Sequence, residues 1–430
     1  MVRLEVKEKI FFKNHVQAKG STQNFESIDI SNDQQENMLN ALKLFHKRIS
    51  ELAQTEIEAM VSHISQKCIV IYVSTKNFDD AYRLFTIIND RGMQLRRIDI
   101  LKANNIDPSV ISDRQTRIEY SKIWEDMEDE LGGDDFEKLF HLLRTIEIKE
   151  KAKEDILKEF ENLIFKKGKI KKGKNFIEYV QKYQEIFKDL ILDMTVLNDS
   201  TEIKNKFNNL LSIMSGYLKG NDWIPPILYY YKRFKTEKIY EFLLKLEMKY
   251  SSAWLLGQTK DKRLVDMCSI LKVIESSKKV SEILNSEEFE YDKKEIKNVI
   301  KQDNFYKRAF AKYILVKLEY LSSENNVQRI FGATSIEHVL PQNPYPKSAW
   351  ASNFDENSRI MWTNNIANLV LLSKRKNASA SNYDFEQKKD KYFKGKITDL
   401  PRSIEVLKYE EWTQEILKKR LKEILDKLLY

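Results

Sequence analysis

Turn formers are scarce in this chain: 11 glycines and 7 prolines in 430 residues. Short strands need a tight turn every few residues, so an all-β fold is out of reach and long helices must dominate. The helical spacing agrees. Residues 35–65, "QENMLNALKLFHKRISELAQTEIEAMVSHIS", place Leu39, Leu42, Phe45, Ile49 and Leu52 on one predicted helical face. From about 110 to 325 helix follows helix: "RQTRIEYSKIWEDMEDEL" stops at Gly132-Gly133, and "DWIPPILYYYKRF" puts a Pro pair where a helix starts. The aromatics of this stretch fall at helical intervals, which predicts core rather than base-stacking platforms.

Two regions break the helical texture. "KCIVIYVS" (67–74) is a β-branched run of strand length, followed by helical "FDDAYRLFTIIND" (78–90) and "RRIDILKANNI". One strand makes no sheet, so this first segment reads as an incomplete α+β domain. After residue 330, short apolar runs, Asn-rich loops and Pro341, Pro344 and Pro346 appear. "NLVLLSK" (368–374) reads as a strand, and "SNYDFEQKKDKYF" (381–393) as a helix opened by a capping box at Ser381. "EEWTQEILKKRLKEILDKLL" closes the chain as an amphipathic helix. A small strand–loop–strand–helix unit is thus expected among helices.

Charge and cysteine count narrow the partners. Lys plus Arg exceeds Asp plus Glu, 73 against 65, a mild bias toward polyanions. Its densest patch, "KKGKIKKGK" (166–174), is either an exposed loop or a phosphate-contacting one. Cys68 and Cys268 are isolated, which leaves neither a disulfide framework nor a zinc knuckle. With no apolar run near the roughly 20 residues of a membrane span and no signal-peptide core, a cytoplasmic protein is expected.

Chemistry concentrates in "SIEHVLPQNP" (335–344). Hydrolysis of a phosphodiester needs a base for the attacking water, for which a neutral imidazole is suited, and a cation for the crowded negative charge. A hydrated Mg²⁺ accepts one or two oxygen ligands from protein. Here His338 offers the imidazole and Glu337 a carboxylate. Neighbours on a flat strand face opposite ways, but at a strand end running into Pro341 the two can flank one phosphate. Asn368 opens the second strand, and Asn377 follows nine residues on, within reach of Glu337 after a turn. Lys374, Arg375 and Lys376 precede it and are placed to grip the backbone. Taken singly, an adjacent Glu and His are also a common surface pair, so the residues alone leave both readings open.

The pattern "IEHVLPQNP", a Trp, "NLVLLSKRKN", then Phe385, Lys388 and Tyr392 resembles the C-terminal nuclease domain of GmrSD-type, modification-dependent restriction endonucleases. The resemblance covers about 335–395 and implies an HNH-like, ββα-metal (His-Me finger) fold. It implies His338 as general base, Glu337 and Asn377 as ligands of Mg²⁺ (or Mn²⁺), and Asn368 as the residue that braces the loop and orients the histidine. Lys388 matches a lysine expected to contact phosphate.

"LFTIINDRGMQLRRIDILK" (84–102) is similar to the end of that family's ParB/sulfiredoxin-like N-terminal domain, through Asn89, Asp90, Arg91, Gly92, Asp99 and Lys102. That domain uses nucleoside triphosphates through an upstream Asp-Gly-Gln-Gln-Arg element. This sequence lacks the element, which argues against nucleotide binding and for a truncation or a second chain supplying it.

The expectation is a mainly α protein. Residues 1–107 form a partial N-terminal domain, 108–325 a helical domain, and 326–430 an HNH-like nuclease domain. The function expected is antiphage restriction of modified DNA. A non-catalytic subunit that docks another chain, or a plain DNA-binding helical protein, is the alternative; homo-oligomerisation stays open.

Overall fold

The computed structural model describes residues 8–23, 25, 28–69, 96–197, 201–323, 334–373, 382–393 and 400–429. The strand expected at 67–74, the helix at 78–90 and Asn89 to Gly92 lie outside these from residue 70 on. The chain divides into two compact units, Met1–Gln94 and Leu95–Tyr430.

In the first unit the predicted run 35–65 forms two helices, α1 (Asp33–Ser50) and α2 (Gln54–Lys67). Asn32 caps α1 by accepting from Gln35 N at 2.9 Å. Of the expected apolar face Leu39 is buried, whereas Phe45 and Ile49 are exposed. Periodicity located the helix but not what covers it.

The second unit is mainly helical. Its longer helices are α3 (Arg97–Asn105), α4 (Arg114–Leu131), α5 (Gly133–Ile148), α6 (Lys174–Phe187), α7 (Thr201–Tyr217), α8 (Ile224–Phe234), α9 (Ile239–Leu255), α10 (Lys260–Ser276), α11 (Lys293–Ile300) and α12 (Ala311–Ser322). The ends follow local chemistry. Asp113 accepts from Thr116 N to start α4, Gly132 at φ 73° ends it, and Pro225 and Pro226 sit in the first turn of α8. Asp99 and Lys102 have structural partners here: Asp99 Oδ2 accepts from Arg96 N, and Lys102 Nζ lies 2.9 Å from Glu125 Oε1.

The aromatics are core. Trp124 stacks on Phe140 at 5.2 Å and meets Phe136 edge-on at 5.6 Å, all three with no exposure. The lysine loop is folded by Gly168 and Gly173, both at positive φ, with Lys166 bonded to Asn162 and Lys172 paired with Glu161.

Beyond α12 comes a two-stranded antiparallel ribbon, β1 (Thr334–His338) and β2 (Leu369–Ser373), with α13 (Glu356–Trp362) between them. Then follow α14 (Phe385–Phe393) and α15 (Gln414–Leu428). α14 opens at Phe385, four residues after the Ser381 of the expected capping box. Glu337 stands opposite Val370, and His338 opposite Leu369.

β2 is buried on both faces. Leu369 and Leu371 enter the large core shared with the helices, while Val370 and Leu372 enter a smaller core with Val339, Leu340, Trp350, Phe354, Phe385 and Trp412. Because Phe140 is fully buried among aromatic rings, Phe140→Ala should cost about 3–5 kcal/mol. The urea midpoint checks this; an unchanged midpoint would mean the cluster is not packed as described.

Candidate functional site

β1 presents alternate residues to the two cores. Ile336 packs on the large core, so His338 shares its face and Glu337 looks the other way. Beyond His338 the ladder outlives the strand. Val339 N donates to Asn368 O at 3.1 Å, and the Asn368 side chain then takes over. Its Oδ1 accepts from Leu340 N (2.7 Å), and its Nδ2 donates to Leu340 O and Thr363 O, each at 2.9 Å. Trp412 Nε1 donates to the same Oδ1 at 3.0 Å. One buried carboxamide thereby holds both sides of the bend into Pro341, a residue that has no N–H to continue the ladder.

The residue at the imidazole is a different one, Asn364, which the sequence does not mark. His338 Nε2 lies 3.1 Å from Asn364 Oδ1, and Gln342 Nε2 donates to that same oxygen at 3.2 Å. An oxygen that already accepts from an amide accepts from the imidazole too, so Nε2 carries the ring proton and Nδ1 the lone pair. Tyr306 meets the ring edge-on, centroids 4.4 Å apart. Its backbone N donates to Asn364 O at 2.9 Å. Burial pushes the His338 pKa down to about 4; the Asn364 bond opposes this and the charge of Lys388 adds to it. At neutral pH the ring is an uncharged acceptor.

Glu337 is gathered with Lys388. The Lys388 ammonium, 1% exposed, donates to Glu337 Oε1 at 2.8 Å and to His338 O at 2.6 Å. Burial holds the Lys388 pKa below its usual range, against the pull of Glu337. The lysine expected on phosphate is thus turned inward, because α14 packs Phe385 into the small core and carries Lys388 under the strand end. Asn377, Lys374, Arg375 and Lys376 lie outside the described residues, as does the Tyr392 side chain. Among the described residues no group of three or more His, Cys, Asp or Glu is placed as a metal site.

The structure therefore brings together His338 with Asn364 and Tyr306, and Glu337 with Lys388, while Asn368 anchors the loop without touching the ring. Asn364 lies 26 residues from His338 in a plain "TNN", and no spacing rule singles it out.

Residues 290–427 match the family model of the GmrSD restriction endonucleases' C-terminal domain. Residues 161–306 match a family of unknown function (DUF7834), and no curated protein matches the chain. The match, on a region of strand ribbon and helices, points to a nuclease domain of the restriction endonuclease class. Over that stretch the chain is similar to the GmrSD-type restriction endonucleases. The match begins within the stretch that the sequence pattern assigns to the helical middle. No helix among the described residues is long and apolar enough to cross a membrane.

Two predictions follow from the burial. A His with its folded pKa near 4, below the usual 6.5, contributes stability that is complete above pH 6.5 and fades as pH falls toward 4, since the unfolded chain takes the proton first. The stability gap between wild type and His338→Leu should shrink by about 3 kcal/mol from pH 7 to pH 4. A gap that does not move with pH would mean a solvated ring. Lys388→Met removes the ammonium from a buried carboxylate and should lower stability by about 3–5 kcal/mol. Denaturant titration measures this, and Glu337→Gln in the same chain should recover most of the loss.

Proposed function

We propose that this chain cuts DNA as a metal-assisted, HNH-like restriction endonuclease acting on foreign DNA, with modified phage DNA as its target. The observation that carries the reading is the His338 ring: uncharged, tied through Nε2 to Asn364, and set at a strand end that Asn368 immobilises. A ring so held offers Nδ1 to a water and takes its proton as the oxygen attacks phosphorus. Tyr306 and Asn364 limit its rotation, which keeps the lone pair on one line of approach.

Glu337, whose Oε1 accepts from Lys388 on the strand face opposite the imidazole, and Asn377 are the oxygen donors that would hold Mg²⁺ or Mn²⁺. Such an ion supplies charge stabilisation at the leaving oxygen. Lys388 acts as a positioning residue: its bonds to Glu337 and to the His338 carbonyl fix both residues from beneath. Lys374, Arg375 and Lys376 are assigned to the DNA backbone, where each cation adds affinity without sequence preference.

The purified chain is expected to nick phage DNA in Mg²⁺ or Mn²⁺ and to stop in EDTA. His338→Ala should lose at least about 100-fold in rate, with its circular dichroism and melting temperature kept. An alanine variant that cuts as fast as wild type would overturn the assignment.

A further inference from the structure

Beside the imidazole lies an open polar cleft of about 610 Å³, within the size range of small-ligand sites. Asn364 and Gln342 form the edge nearest the ring, so whatever enters the cleft lies one side chain from His338. The far walls come from the turn before α12, through Asp303 and Lys307, and from α13, through Glu356 and Arg359. Among the described residues none of these four makes a side-chain hydrogen bond or ion pair. Ile360, 63% exposed, adds an apolar surface to the α13 wall.

The lining argues against a simple phosphate track. Two carboxylates balance two cations, and a phosphate, which only accepts hydrogen bonds, would be repelled by half of the charged groups. A nucleobase edge carries donors and acceptors together, and these are the groups that Asp, Glu, Asn and Arg discriminate. Its face is apolar enough to rest on Ile360.

We propose that this cleft seats a nucleobase next to the cut phosphate, and that Asp303, Asn343, Glu356 and Arg359 set which base is accepted. The proposal deepens the endonuclease reading and rests on it for the cut itself, but the seat can be tested by binding alone. The full-length chain in EDTA is mixed with a pool of short random single-stranded DNA, and the bound strands are sequenced. Wild type should enrich one base at one position by about tenfold. Asp303→Asn and Glu356→Gln, which swap an acceptor for a donor at nearly constant shape, should move or erase that enrichment without weakening binding to DNA as a whole. Enrichment that survives both changes, or none in wild type, would overturn the base seat. An equal loss on all sequences with a flatter salt slope would instead mark the cleft as a phosphate contact and overturn it too. Failure of the endonuclease reading shows separately, as wild type that binds DNA and cuts none.

Discussion

The site depends on a strand that is buried from both sides. In β2 successive residues drop alternately into the large helical core and the small C-terminal core, so a slip of one residue would move each apolar side chain into the wrong core. The register of β1 is fixed by the same constraint, since it pairs residue for residue with β2. This places His338 on the face of the helical body, where Tyr306 and Asn364 meet it, and Glu337 on the face where α14 delivers Lys388. A two-stranded ribbon in water would hold neither position, being marginal on its own. Here the helix Pro401–Glu405 also covers its edge, through a hydrogen bond from the Ser403 hydroxyl to the Leu371 carbonyl.

Around that ribbon the C-terminal segments act as clamps on the loop that carries Asn368. Arg420 of α15, fully buried, donates through Nε to the Ala367 carbonyl at 2.9 Å and pairs with Glu405 at 3.1 Å. Trp412 donates to Asn368 itself. Through those two bonds Arg420 ties α15 to the helix Pro401–Glu405 and to the Asn368 loop. The terminal helix is thus more than an amphipathic cover: it grips Ala367, two residues before the start of β2 opposite His338.

Much of this was legible in the sequence and some was not, for physical reasons. Scarce Gly and Pro and the 3.6-residue spacing located α4, α8 and α15, because those signals report local backbone preference and one buried face. "NLVLLSK" located β2, because an unbroken apolar run of strand length is what double burial requires. The stretch 304–323 folds as a 3₁₀ turn, Phe305–Lys307, then α12, a division that no local signal marks. That break is what sets Tyr306 against His338. Asn364 and the inward turn of Lys388 were invisible because they are tertiary facts. Spacing reveals which face a residue occupies, and a carboxamide or an ammonium looks the same in sequence whether it meets water, phosphate or a buried partner.

The chemistry of the site follows from what surrounds the ring more than from the ring itself. An exposed histidine titrates near 6.5 and would be part-charged in a cell. Enclosed by Tyr306 and the strand end, with the Lys388 charge close by, His338 keeps its lone pair through the whole neutral range. The same enclosure makes it a weaker base, and a base of depressed pKa removes a proton from water only when that water is itself acidified. In the proposed reaction a hard cation held by Glu337 would supply the acidified water that so weakened a base calls for.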